Sequence, residues 1–254
     1  MSSRLRYEFS VFALLLASAA HANSAATAPA AGSADEPTAM VADPCPAGTE
    51  IAASERLAQD WANLCKYRSA NAALSEPARV VFMGDSITEG WASKDPTLFS
   101  HGVVGRGISG QTTPQMLDRF YDDVILLHPK VVHILAGTND VAGNTGLTTV
   151  QDYKNNIQAM VELAKAHHIR VVLASIPPAA AFPWRPNYRP APMITSLNSW
   201  LREFCRRQHI TYADYYSILV DANGGFRKEL SGDGVHPNPD GYAAMRSLAL
   251  RAIN

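Results

Sequence analysis

The sequence predicts an α/β fold: a three-layer α/β/α domain around a central, mostly parallel, five-stranded sheet. Three observations lead there. Short β-branched apolar runs alternate with helix-patterned segments from about residue 78 to the C-terminus, and alternating strands and helices build parallel sheets covered on both faces. The first of these runs, Val80–Met83, is apolar throughout, as in a strand buried on both sides. Several of them break directly into loops rich in Gly, Asp and Asn, where ligands bind in open sheets of this class.

The elements follow in order. SERLAQDWANLCKYRSANAAL (54–74) sets Leu57, Trp61, Leu64 and Tyr67 at helical spacing behind Ser54, a candidate N-cap. ARVVFMGDS (78–86) is a buried-strand run ending in Gly-Asp-Ser. HGVVGRGISG (101–110) is a weaker strand that breaks into glycines. TTPQMLDRFYDDVILLHP (112–129) reads as one helix, with Thr113 as cap and Pro114 in the first turn. KVVHILAGTND (130–140) is the strongest strand, carried through to Asn139. TTVQDYKNNIQAMVELAKAHH (148–168) is a helix with Tyr153, Ile157, Met160, Val161 and Ala164 on one face. IRVVLASIPP (169–178) is a strand, and PMITSLNSWLREFCRRQHI (192–210) is a helix. TYADYYSIL (211–219) begins as a short strand, and PDGYAAMRSLALRAI (239–253) closes the chain as a helix.

Ahead of this domain the composition changes. Arg4 and Arg6 precede an apolar run from Phe9 to Ala20, too short to span a bilayer comfortably, and Ala20-His21-Ala22 fits a cleavage site. Residues 1–22 therefore read as a secretory signal peptide, and residues 23–46, rich in Ala and Pro, as a disordered spacer. Residues 47–254 remain as the domain. Export implies a periplasmic or secreted protein, with no stable membrane anchor. The oxidising compartment makes a disulfide among Cys45, Cys65 and Cys205 plausible. Cys45–Cys65 is the preferred pair, because it would pin the N-terminal arm to the first helix. A formal net charge of −1 gives no electrostatic footprint for nucleic acid. With no Cys-x-x-Cys spacing, a structural zinc is not expected.

The chemistry-bearing residues lie in four loops. Ser86 follows the first strand and needs a base to become nucleophilic; alone, it is equally a helix cap. His236, held extended by Pro237, could be that base, with Asp233 reaching its Nδ1 side; alone, the pair is equally an ordinary turn. Gly107 can bring a bare backbone N–H to a reacting carbonyl, and Asn139 offers a side-chain amide; a turn glycine and an Asx-turn asparagine are the plainer readings. His167 and His168 end a helix, where imidazolium suits the dipole. The Pro-rich stretch 177–192 supplies Phe182, Trp184, Arg185 and Tyr188 as candidate linings for an acyl or sugar pocket, and Trp91 is a further candidate.

Taken together, these loops resemble the four blocks of the SGNH hydrolases, or GDSL esterase/lipase family, in the family's order. GDSIT (84–88) is similar to the nucleophile block, GRGISGQT (105–112) to the second, GTND (137–140) to the third and DGVHP (233–237) to the last. Isoleucine at 87 replaces the usual leucine, and Gly105 stands where an asparagine is common. The resemblance spans about 79–254 and implies a flavodoxin-like fold. It also implies a Ser86–His236–Asp233 triad, and an oxyanion hole of the Ser86 N–H, the Gly107 N–H and the Asn139 amide. No metal or cofactor is implied. The function it implies is an exported esterase for short-chain acyl groups, acetyl foremost, on small-molecule or polysaccharide esters. A lysophospholipase or thioesterase, an acyltransferase using the same site, and a non-catalytic carbohydrate-binding scaffold are the alternatives.

Overall fold

The structure, a computed structural model, describes Cys45 and residues 60–254 apart from residue 147. The expected signal peptide, the spacer other than Cys45, and Ser54 and Leu57 lie outside the described residues. Five strands form one sheet: β1 (Val80–Gly84), β2 (Val103–Gly107), β3 (Val131–Leu135), β4 (Arg170–Ala174) and β5 (Thr211–Ala213), in the order β2-β1-β3-β4-β5. Every pairing is parallel, so the sheet is wholly rather than mostly parallel.

Alternation along the strands builds the two outer layers. Val81, Met83, Val132, Ile134, Val171 and Leu173 enter one apolar cluster, with side chains of α3 (Thr113–Asp118), α6 (Val150–Ala166) and α7 (Ala191–Gln208). Val80, Phe82, Val131, Leu135, Val172 and Ala174 enter the other, with α2 (Ser86–Lys94) and α9 (Pro239–Ile253). The face of α6 predicted from spacing (Tyr153, Ile157, Met160, Val161, Ala164) is the buried face. Thr149 caps this helix, accepting from the Asp152 N–H.

Two helical expectations are corrected. From Trp61 to Tyr67 the chain runs in turns, and only α1 (Arg68–Ala72) is helical. The Asp60 carboxylate captures the Leu64 and Cys65 N–H groups, and Asn63 is left-handed at φ 56°. Both features compete with a continuous helix. Cys65 is bonded to Cys45. The segment expected as one helix over 112–129 is broken into α3, α4 (Phe120–Asp123) and a 3₁₀ turn, Ile125–Leu127. The break falls at Arg119, whose buried guanidinium is drawn to Gln111, Asp123 and the Gly84 carbonyl. The N-cap is Thr112 rather than Thr113: Gln115 Oε1 accepts from the Thr112 N–H. Two short helices complete the domain, α5 (Thr138–Ala142) and α8 (Tyr215–Leu219). Among the described residues no helix is long and apolar enough to cross a membrane.

Candidate active site

The register places Gly84, Gly107 and Leu135 level with one another at the carboxyl edge of the sheet. The four candidate loops leave from this edge or converge on it. Asp85 is the N-cap of α2 and accepts from the Ile87 N–H at 2.9 Å, so Ser86 opens the helix one residue beyond the cap. Ser86 Oγ lies 2.9 Å from His236 Nε2, across 150 residues of sequence. His236 Nδ1 lies 2.7 Å from Asp233 Oδ2. The other carboxylate oxygen, Oδ1, accepts from the Val235 and His236 N–H groups at 2.9 and 2.8 Å. Gly234, at φ +78°, makes the turn that brings these donors round. Partial burial pushes the Asp233 carboxyl up, but the hydrogen bonds from His236 and Val235 outweigh it and hold the group at about 2.

The loop carrying His236 is tied to the one carrying Ser86. Tyr242, in the first turn of α9, donates its phenol to the Ile87 carbonyl at 2.9 Å. A Cβ at Gly90 would meet that phenol at 2.7 Å, so glycine lets the two helices approach. Sequence reasoning missed Tyr242, because nothing local marks it as a partner of residue 87.

Gly107 packs on the first turn of α2. A Cβ there would sit 2.2 Å from the Glu89 nitrogen and 2.7 Å from the Asp85 carbonyl oxygen, so the close approach itself demands glycine. Gly105 has a similar reason: its Cβ would come within 2.7 Å of Ala92 Cβ, which leaves no room for the asparagine common in the family. The Gly107 carbonyl accepts from the Tyr67 phenol. Asn139 lies in α5 rather than at the end of β3. Its amide nitrogen donates to the Gln111 carbonyl at 3.0 Å and to Asp85 Oδ2 at 3.3 Å. Its oxygen accepts from Asn144 Nδ2 at 2.6 Å. Asp85 is fully buried, and burial, only partly countered by the Ile87 N–H and by His236, lifts its carboxyl to about 7.

Below this layer Arg119 donates to the Gly84 carbonyl at 2.9 Å and to Gln111 Oε1 at 2.6 Å, and pairs with Asp123 at 2.8 Å. It braces the end of β1 and the segment whose carbonyl meets Asn139. Asp140 turns the other way, taking the Thr113 N–H and hydroxyl. Burial lifts it to about 6 against those bonds. It helps line a pocket with Val141, Tyr153, Tyr188 and Met193.

The aromatic candidates divide. Trp91 is corrected: it is fully buried between Phe82, Tyr215 and Tyr242, because it lies on the sheet-facing side of α2, and it cannot touch a ligand. Phe182 is corrected as well. It is fully buried and forms a base for Trp184, stacked on it with ring centroids 5.2 Å apart. Trp184 is 46% exposed, and Tyr188 is half-buried on the wall of the Asp140 pocket.

The all-parallel five-stranded sheet in the order β2-β1-β3-β4-β5, with the four loops at its carboxyl edge, is the architecture of the SGNH hydrolases. The GDSL-like lipase/acylhydrolase family matches residues 82–244. The chain belongs to this family of carboxylic ester hydrolases. A Bacteroides fragilis protein assigned to the acylhydrolases is 48% identical, over 77% of this chain and 97% of its own, with a TM-score of 0.75. A catalytic mutant of an acetylxylan esterase from Geobacillus stearothermophilus shares the fold at 20% identity and TM-score 0.57, over 71% of this chain and 96% of its own. The uncharacterized lipoprotein YqeF of Bacillus subtilis (strain 168) is 29% identical over 48% of this chain, and the match spans only 58% of the lipoprotein's length.

Proposed function

We propose that the protein is an exported serine esterase that removes short acyl groups, acetyl foremost, through an acyl-enzyme on Ser86. The observation that carries this reading is the continuous relay Ser86 Oγ–His236 Nε2 at 2.9 Å and His236 Nδ1–Asp233 Oδ2 at 2.7 Å. With Nδ1–H held by the carboxylate, Nε2 is left as the acceptor for the serine proton. Ser86 Oγ attacks the ester carbonyl as its proton passes to Nε2; His236 then returns a proton to the leaving alcohol. Water, deprotonated by the same nitrogen, releases the acid. Gly107 turns its carbonyl, and with it its N–H, toward Tyr67 at the outer edge of β2, so in this reading the oxyanion meets the Ser86 N–H and the Asn139 amide. Of the two contacts made by that amide, the one to Asp85 is longer, and its hydrogen is the one an oxyanion would take over.

Export is supported by the leader-like residues 1–22 and by the Cys45–Cys65 disulfide, since such bonds persist in oxidising compartments. The substrates in view are small-molecule or polysaccharide esters. An acetylated sugar suits the exposed Trp184 face, because aromatic rings offer an apolar body to such partners. The test is hydrolysis of p-nitrophenyl esters from acetate to palmitate by wild type and Ser86→Ala. The expected result is an optimum at acetate or butyrate and loss of turnover in the variant. An undiminished Ser86→Ala rate would overturn the mechanism, and an optimum at long chains would overturn the substrate assignment.

A further inference from the structure

The Pro-rich loop grips the segment after α5 at two points. Arg185 Nη1 donates to the Ala142 carbonyl, and Trp184 Nε1 donates to Asn144 Oδ1 at 3.0 Å. Asn144 in turn donates from Nδ2 to Asn139 Oδ1 at 2.6 Å, and its backbone N–H donates to the Asn139 carbonyl at 3.1 Å. The sense of this chain is fixed from both ends, by the Trp184 indole at one and, at the other, by the Gln111 carbonyl, which can only accept from Asn139. An indole N–H can only donate, so Asn144 must present its oxygen to Trp184. Its NH₂ must then face Asn139, whose oxygen is thereby taken. The NH₂ of Asn139 is left pointing the other way, toward Asp85 Oδ2 and the Gln111 carbonyl. A primary amide is nearly symmetric in shape, so packing alone does not choose which end faces the nucleophile loop. Hydrogen bonds must choose.

We propose that Asn144 is a positioning residue that, together with the Gln111 carbonyl, holds the orientation of the Asn139 amide, with Trp184 of the Pro-rich loop fixing the orientation of Asn144 itself. This rests on the reading of Asn139 as an oxyanion donor. It makes the exposed Trp184 ring, stacked on buried Phe182, a link between the face open to substrate and the group that stabilises the transition state. A substrate that seats on Trp184 holds the relay in its working sense. One that displaces Trp184 releases Asn144 and leaves the Asn139 amide held at its NH₂ end alone.

Three variants separate the parts of this relay. Asn144→Asp keeps the shape but replaces the donor to Asn139 with an acceptor, which favours the reversed amide. Asn144→Ala removes the restraint on the Asn139 oxygen and leaves only the Gln111 carbonyl to orient the amide. Trp184→Phe keeps an aromatic face, though a smaller one, and removes the N–H. On p-nitrophenyl acetate, kcat is expected to fall about 30-fold for Asn144→Asp, about 5-fold for Asn144→Ala and about 3-fold for Trp184→Phe, with KM within about twofold, as for a contact felt only in the transition state. The decisive arm is the double-mutant cycle. In an Asn139→Ala background each Asn144 change should alter kcat by less than about twofold, because there is no amide left to orient. Full wild-type kcat in Asn144→Asp while Asn139→Ala is impaired would overturn this inference alone. So would independent, multiplying effects of the Asn139 and Asn144 changes. Full activity in Asn139→Ala would overturn the oxyanion assignment and the inference with it.

Discussion

Replacing Asp233 by asparagine tests the relay at its most exposed joint. Asp233 Oδ1 is occupied by the Val235 and His236 N–H groups at 2.9 and 2.8 Å, which fixes the end at which an amide oxygen can sit. The NH₂ of the asparagine must then occupy the Oδ2 position, 2.7 Å from His236 Nδ1. A donor there demands the tautomer with its proton on Nε2, which cannot accept from Ser86. Two costs add. Reversing the tautomer, or leaving one donor unmet, costs about 1–3 kcal/mol. The lost attraction between the carboxylate and the forming imidazolium is worth about 1 kcal/mol in water and about 4 kcal/mol near a protein surface at ~4 Å. The side chains of His236 and Asp233 are 37% and 44% exposed, so the lower end of that range applies, about 1–2 kcal/mol after solvent screening. The sum, about 2–5 kcal/mol, is a loss of roughly 30- to 5,000-fold in kcat/KM at 1.36 kcal/mol per decade. The assay is steady-state hydrolysis of p-nitrophenyl acetate beside a thermal melt. A folded Asp233→Asn enzyme within tenfold of wild type would refute the tautomer argument.

Other perturbations have equally definite outcomes. Burial raises Asp85 to about 7 and Asp140 to about 6; both folded values lie above the unfolded ones, so the native state binds the extra protons. Stability should therefore fall as pH rises from about 4 to about 7, and urea midpoints at pH 5 and pH 8 should show a smaller difference in Asp140→Asn than in wild type. Asp233 has the opposite sign: its folded value is depressed to about 2, so its stabilisation holds above about pH 4 and is lost as pH falls toward 2, which a pH titration of the Asp233→Asn melt against wild type would reveal. Gly107→Ala places a Cβ 2.2 Å from the Glu89 nitrogen and should cost about 1–3 kcal/mol or more in a denaturant melt. Trp91→Ala should lower stability by about 3–5 kcal/mol as a core truncation, whereas Trp184→Ala should leave the melt nearly unchanged and act on kinetics.

Elements whose cause is local were legible from the residues. The buried face of α6 follows from side chains three and four apart, β1 from an uninterrupted apolar run, and β3 from a run broken only by His133. What failed depended on side chains claiming backbone groups or charges that helical spacing does not register, some of them near in sequence and one, Gly84, far from it. The helix expected over 112–129 has good propensity throughout, yet it breaks at Arg119, because that side chain is claimed by Gly84, Gln111 and Asp123. The helical spacing of Trp61, Leu64 and Tyr67 was misleading, because one carboxylate, Asp60, takes two of the N–H groups a helix would need. Trp91 and Phe182 were offered as ligand contacts because aromatic residues near functional loops serve either as lining or as core. Sequence spacing does not say which side of the loop faces water.

By itself, the sequence determined the chemistry available: a serine, a histidine, an aspartate, an asparagine and a glycine in four loops, ordered along alternating strands and helices. That follows because residue type and strand-end position are local properties. The tertiary structure alone decided how those groups meet. It set Ser86 2.9 Å from a histidine 150 residues away, gave Gly107 a packing reason to be glycine, and joined Asn139 through Asn144 to Trp184. Distances of that kind arise from sheet register and from hydrogen bonds between loops. Those exist only once the layers have packed, and no stretch of sequence carries them on its own.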